Sequence, residues 1–326
     1  MARSRPREGP SEPSLLDVIR AEREVSRYLT RTPLRHYPSL DKLLSAEVYV
    51  KHENFEPTGS FKVRGQLNVI SNLGDAERKR GVIVASTGND AQAAAFASGL
   101  LGVRCVVVMP ENPNPLKAES TRLLGADLIL HGRNFDEARL HAEALAREKG
   151  YHYIHSVNEP NLVAGAGTIG LEIVEELPSV DEIIVPIGGG ALAAGICVSA
   201  KEMSPTVKVV GVQSDRSQAV FSSWKGGKIV EKPDRTTHEG LATGTGYDLT
   251  HRILAEHLDD FLILSDDEIT KAMRLFIEKT RTLVEGAGAA PLAGALRAKS
   301  SIKGKRVVLV ATGANVSMEL LRKTIA

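Results

Sequence analysis

Short runs of β-branched and aliphatic residues alternate with segments of helical period along nearly the whole chain. Strands are predicted over 47–51, 82–85, 104–109, 128–130, 182–186, 208–213, 261–264 and 306–310, each run being too short for a helix and rich in Val, Ile or Leu. In RCVVVM, EIIVPI and RVVLVA the apolar character is continuous rather than alternating. Such strands are buried on both faces, which requires a parallel sheet covered by helices. Helices are predicted over 89–101, 115–124, 134–149, 191–203 and 266–281. The fold class that follows is α/β, with two doubly wound open-sheet lobes. The polar, proline-bearing stretch HYIHSVNEPN near residue 155 interrupts the alternation and is the expected lobe boundary.

A chain of 326 residues with 42% hydrophobic content is long enough for two lobes with a sizeable core. With 41 basic and 40 acidic residues it has no net field of either sign, so nucleic acid and anionic membrane are not expected as partners. Small neutral or zwitterionic ligands fit better. Cys105 and Cys197 lie in apolar runs, VRCVVVM and AGICVSA, and read as core filler in a reducing, cytoplasmic setting. No apolar run reaches the roughly 18 residues of a membrane span. The opening MARSRPREGPSEPS has no apolar signal core, and residues 1–13 read as a disordered arm.

Ligands of open α/β sheets bind beyond the carboxyl ends of the strands, so the turns there carry the search. GAGTIG, residues 165–170, matches the dinucleotide fingerprint in letters only. The fingerprint needs a strand just before it and an acid about 20 residues later; neither is present, and close helix packing is the better reading. GGGAL, residues 188–192, is well placed between a buried strand and a helix. Three glycine N–H groups and the helix dipole make an anion cradle suited to phosphate. STGND, residues 86–90, is a second strand-to-helix turn; its hydroxyls and free helix amides suit a carboxylate, with a plain N-cap as the alternative. ATGAN, residues 311–315, brings the Thr312 hydroxyl to the same sheet edge, and Glu285 in VEGAGAAP reads as a solvated loop charge. In GSFKVRG, residues 59–65, a lysine opens a buried helix. A lysine in a dry pocket has a destabilised ammonium and serves as nucleophile and base. Phosphate cradle, carboxylate turn and activated lysine together describe pyridoxal phosphate holding an amino acid.

The segments ENFEPTGSFKVRG, STGNDAQ, KAESTRLLGADL, GGGALAAG, EGAGAAPLAG and ATGAN, in this order, resemble the threonine dehydratase and serine racemase family of fold type II pyridoxal phosphate enzymes. The resemblance spans roughly residues 15–325. It implies a large cofactor-binding lobe of 1–52 and 155–326 and a small substrate-side lobe of 53–154. It implies that Lys62 carries the cofactor and acts as base, that Phe61 packs on the cofactor ring, and that Asn89 bonds the ring hydroxyl. By the same resemblance Gly188, Gly189, Gly190, Ala191 and Leu192 form the phosphate loop, with Ala191 in place of a last glycine, tolerable if its φ is negative. Thr312 falls where the family sets a hydroxyl or thiol against the ring nitrogen. Ser86, Thr87, Gly88 and Asp90 fall on the substrate side, Thr87 where racemases place the acid of the opposite face. Relatives are commonly homodimers.

The chain departs from the family at three places. Asp90 replaces a histidine and Thr87 an alanine or serine; Asp90 is expected to point outward, over the first-turn amides of its helix, the alternative being an inward carboxylate that reads a donor on the side chain of a larger β-hydroxy amino acid. In GVQSDRSQA, Gln213 and Ala219 stand where metal-binding relatives carry acids, so no metal is expected. No C-terminal regulatory domain follows, so feedback control is not expected. A hydroxyl at Thr312 cannot hold a ring proton as a carboxylate does. That favours prompt β-elimination over transamination, and the resemblance implies dehydration of a β-hydroxy amino acid such as L-threonine or L-serine to a 2-oxo acid and ammonia. Racemisation and threonine synthase-like replacement are the rival reactions, and a nicotinamide-binding or non-catalytic protein built on GAGTIG is the rival of another class.

Overall fold

The computed structural model describes residues 9–86, 88–113 and 115–325, apart from the Leu116 side chain. Ten strands are formed among these residues: β1 Leu34–His36, β2 Glu47–Lys51, β3 Val82–Ala85, β4 Cys105–Met109, β5 Asp127–Leu130, β6 His152–Tyr153, β7 Glu182–Pro186, β8 Lys208–Ser214, β9 Asp260–Leu264 and β10 Arg306–Val310. They make two open sheets, of order β1-β2-β10-β7-β8-β9 and β5-β4-β3-β6. Every pairing is parallel except β1 with β2. β3, β4 and β7 are buried throughout, as continuous apolar runs require.

All eight predicted strands are present within a residue at each end. β1 and β6 were not predicted. Three and two residues long, they are too short to carry a period. β6 lies within HYIHSVNEPN and pairs with β3, Ile83 opposite Tyr153, so the interruption begins only after this strand. The opening arm also differs from expectation where it is described. Arg252 donates to the Pro10 carbonyl at 2.6 Å and to Glu12 Oε1 at 2.5 Å, and these two bonds hold residues 10–12 on the body. Residues 1–8 of the expected arm lie outside the described residues.

GAGTIG lies inside the helix Pro160–Glu176, not at a strand end. A Cβ on Gly165 would stand 2.7 Å from the Arg64 carbonyl oxygen, and one on Gly195 would stand 2.6 Å from Gly167 N. The glycines thus let this helix touch both Lys62–Ser71 and Ala191–Met203 at backbone distance, the packing expected from the sequence. Cys105 and Cys197 are free and buried, and burial pushes both thiols up to about 12, as core filler should be.

Candidate active site

Lys62 is the first residue of the helix Lys62–Ser71. Its approach is fixed by Gly59, whose φ of +67° favours glycine. Ala314 N donates to the Gly59 carbonyl at 2.9 Å, and Phe61 N to the Thr312 carbonyl at 3.0 Å. These bonds stitch the chain before Lys62 onto the turn that follows β10. Phe61 is half-buried, its ring centroid 5.6 Å from Lys62 Nζ. The ammonium donates to the Ser156 carbonyl at 3.4 Å and stands 3.6 Å from Asp90 Oδ1, with its side chain 21% exposed. The expected dry, apolar setting is therefore not what surrounds it; Lys62 is charge-paired and partly open.

Asp90 corrects a second expectation. It faces inward, 4% exposed, and its Oδ1 accepts from Gln66 Nε2 at 3.1 Å. The helix Asn89–Leu101 is buried on nearly all sides, so position 90 turns toward the neighbouring helix and not toward solvent. Asp90 Oδ2 has no hydrogen-bond partner among the described residues. Gly88 is the N-cap of this helix and makes no side-chain cap bond. Ser86 is buried at the end of β3, and its Oγ accepts from Gly88 N at 3.3 Å. Thr87, expected at the substrate face, lies outside the described residues.

The glycine turn GGGAL follows β7 and opens the helix Ala191–Met203. A Cβ on Gly188 would stand 2.7 Å from the Gly240 carbonyl oxygen, and one on Gly189 2.4 Å from Val157 Cγ2; Gly190 has a φ of +96°. Side chains are barred from all three, leaving backbone N–H groups at a helix N-terminus. Ala191 and Leu192 are buried in the first turn, and Ala191 does not have a positive φ, which satisfies the condition set for it. Since Val157 touches Gly189 and its neighbour Ser156 accepts from Lys62, the loop and the lysine meet across residues 156–157. Gln213 and Ala219 serve the same lobe structurally: Gln213 Nε2 donates to the Gly188 carbonyl at 3.5 Å, its Oε1 accepts from Phe221 N at 3.1 Å, and Ala219 is buried.

At the first residue of the helix that carries Asp90, Asn89 Nδ2 donates to Glu285 Oε1 at 2.7 Å and Asn315 Nδ2 donates to Asn89 Oδ1 at 2.8 Å. Glu285 is not a solvated loop charge. Burial pushes its carboxyl up to about 7, against the opposing pull of Lys117 and of the Asn89 amide. Lys117 is largely buried and ion-paired with Glu239. Neither Glu285, Asn315 nor Lys117 was singled out for a role from the sequence. Glu285 carried a signal, since an acid stood before a run of small residues with no helix-capping bond to make; the run is the buried helix Gly286–Arg297.

A phosphate-bearing aromatic aldehyde fits these residues. Thr312 is 3% exposed and its Oγ1 has no partner among the described residues, so a buried hydroxyl awaits an acceptor or donor beside the lysine. The cradle of Gly188–Gly190 is shaped by contacts that a Cβ would break. The glycine loop after β7 and the orphan hydroxyl after β10 lie at the ends of neighbouring strands of a doubly wound sheet, and the chain that leads into Lys62 is bonded to the second of these turns.

Residues 25–313 match the family described as pyridoxal-phosphate dependent enzyme, and the chain belongs to that family. It is 38% identical over 315 residues, 96% of this chain and 78% of the relative, to an L-threonine ammonia-lyase of Thermotoga maritima. Among solved structures it resembles threonine deaminase isoform 2 from Solanum lycopersicum, with a TM-score of 0.92, 30% identity and coverage of 100% and 98% of the two chains. It also resembles maize serine racemase, with a TM-score of 0.91, 29% identity and 97% coverage of both.

Proposed function

We propose that the protein removes the β-hydroxyl group of a β-hydroxy amino acid such as L-threonine or L-serine, releasing a 2-oxo acid and ammonia. The observation that carries this reading is the convergence of Lys62 and the Gly188–Gly190 loop on residues 156–157, in a chain similar to threonine ammonia-lyases. Bound pyridoxal phosphate supplies an electron sink that acidifies the Cα proton of the substrate. Lys62 would carry the cofactor and, once displaced from it by the substrate amine, would take that proton at Nζ as the free amine. Gly188, Gly189, Gly190, Ala191 and Leu192 bind phosphate through N–H groups at the helix start. Phe61 would pack on the ring, Asn89 would bond its hydroxyl, and Thr312 Oγ1 would bond its nitrogen. Ser86, Thr87 and Gly88 hold the substrate carboxylate, and Asp90 lies toward the substrate side chain.

In this reading residues 1–52 and 155–326 form the large lobe and 53–154 the small one. The protein works as a cytoplasmic homodimer; free buried thiols support a reducing compartment, and light scattering of the purified protein tests the dimer. Likeness to a serine racemase supports racemisation as a second reaction. Borohydride reduction and peptide mapping should place a pyridoxyl group on Lys62, and ammonia should be released from L-serine or L-threonine faster than the D-amino acid forms. A label on another lysine sinks the site, and a predominance of D-product sinks the elimination reading.

A further inference from the structure

The buried carboxylate of Asp90 has a position that the elimination of serine or threonine does not explain. Its two oxygens are unequal. Oδ1 is engaged by Gln66 Nε2 at 3.1 Å and lies 3.6 Å from Lys62 Nζ. Oδ2 is buried and has no partner among the described residues. An unpartnered buried carboxylate oxygen is costly, so a group that repays it binds with advantage. Gln66 is itself fully buried, and its amide holds Asp90 from the neighbouring helix, so the carboxylate is pre-positioned. The carboxylate is beside the reacting lysine, and a substrate processed there brings its side chain toward it.

Resting on the function proposed above, we infer that Asp90 is a specificity-determining residue that selects β-hydroxy amino acids whose side chain ends in a hydrogen-bond donor, a further hydroxyl or an ammonium, and rejects those that end in a carboxylate. A terminal donor bonds Oδ2 and satisfies it. The methyl of threonine leaves it unpaired, and a substrate carboxylate meets like charge at close range. Lys62 is the cation at Asp90, on its Oδ1, and the Lys117 ammonium is paired with Glu239.

The test uses holoenzyme with L-threonine, 4-hydroxy-L-threonine and threo-3-hydroxy-L-aspartate, which differ at the terminal group, comparing wild type with Asp90→Asn. In the wild type kcat/KM should favour 4-hydroxythreonine over threonine by about tenfold or more, since a satisfied charged hydrogen bond discriminates at that level. Hydroxyaspartate should fall about a hundredfold below threonine. Asp90→Asn should compress the first ratio to about threefold or less and raise hydroxyaspartate relative to threonine. Calorimetric titration with malonate, a non-reacting dicarboxylate, should show about tenfold tighter binding to Asp90→Asn than to wild type. Unchanged ratios with unchanged malonate affinity overturn the inference. An equal loss on all three substrates also overturns it, because Asp90 then serves Lys62 alone. If no β-hydroxy amino acid releases ammonia although Lys62 is labelled, the failure belongs to the proposed elimination, and the malonate comparison still decides on Asp90.

Discussion

Gly165→Ala tests how the helix that bears Lys62 is held. A Cβ at this position would stand 2.7 Å from the Arg64 carbonyl oxygen, 2.8 Å from Gly65 Cα and 3.0 Å from the Arg64 carbonyl carbon. All three are backbone atoms of the helix Lys62–Ser71, so no flexible side chain can give way. The helix must retreat by several tenths of an ångström on each contact. Overpacking of this kind costs about 1–3 kcal/mol. Exchanging glycine for alanine within a helix returns up to about 1 kcal/mol, leaving a net loss of up to about 2 kcal/mol. Domains of 150–250 residues lose about 2–4 °C in melting temperature per kcal/mol, so a fall of a few degrees is expected. The rate should fall with the stability, because Lys62 moves with the helix; a misplacement of about 1 Å can cost about a hundredfold, and a retreat of several tenths costs correspondingly less.

The assay pairs thermal melting with ammonia release, and Gly99→Ala is the control. Gly99 also lies within a helix, Asn89–Leu101, but a Cβ there would meet nothing closer than the Leu124 carbonyl oxygen at 3.6 Å. That variant should be neutral or stabilised by up to about 1 kcal/mol. If Gly165→Ala melts at or above the wild type and keeps its rate while Gly99→Ala behaves as stated, close backbone packing does not position Lys62.

Burial and the adjacent Glu53 carboxylate push Glu56 up to about 8. The folded protein therefore keeps a proton that the unfolded chain gives up near its ordinary value of about 4.5, and stability should fall as pH rises from about 5 to 8; denaturant unfolding at pH 5, 7 and 9 should show this slope, and Glu56→Gln should flatten it. Glu285, raised by burial to about 7, should lend kcat/KM an inflection near neutral pH that Glu285→Gln removes; a profile unchanged by the substitution would separate this carboxyl from the chemistry. Gln213 is engaged by Phe221 N and the Gly188 carbonyl and supplies no anionic oxygen, so a chelator should alter neither rate nor melting temperature, and an activity loss restored by magnesium would place a cation site elsewhere.

What the sequence made legible follows from how each signal is carried. Buried parallel strands announce themselves by unbroken apolar runs, and β7 and β10 were delimited to the residue. Turns at their carboxyl ends carry glycine and hydroxyl residues that local conformation demands, so the loop at Gly188–Gly190 and the turn at Thr312 could be read directly. Side-chain direction at a helix start is a different matter. Whether Asp90 faces in or out depends on Gln66 in another helix, and a helix as uniformly apolar as AQAAAFASGL has no polar face from which to infer it. Glu285 escaped for the same reason: its burial comes from the meeting of the turn after β10 with Asn89, far apart in sequence.

The arginine two residues after Lys62 explains why this lysine, and not a neighbouring position, faces the site. Arg64 is 1% exposed and is gripped from two sides. Its Nε and Nη2 donate to Glu53 at 2.8 and 3.0 Å, and its Nη1 and Nη2 donate to Glu172 at 2.6 and 3.1 Å. Glu53 belongs to the turn that precedes the helix, and Glu172 to the helix Pro160–Glu176 that touches it through Gly165. Two planar, paired contacts of this kind fix rotation about the helix axis as well as distance, which a nonpolar contact of equal area does not. Burying such charges gains little stability by itself, while removing one partner costs about 3–5 kcal/mol. The network thus acts on orientation more than on stability. With residue 64 pinned toward Glu172, position 62 lies about 200° further round the helix, and its ammonium is turned toward Ser156 and Asp90. The excess of carboxyl groups that this clamp assembles, Glu53, Glu56 and Glu172 around one guanidinium, is relieved by Lys51 at 2.6 Å from Glu172 and by the proton that burial keeps on Glu56.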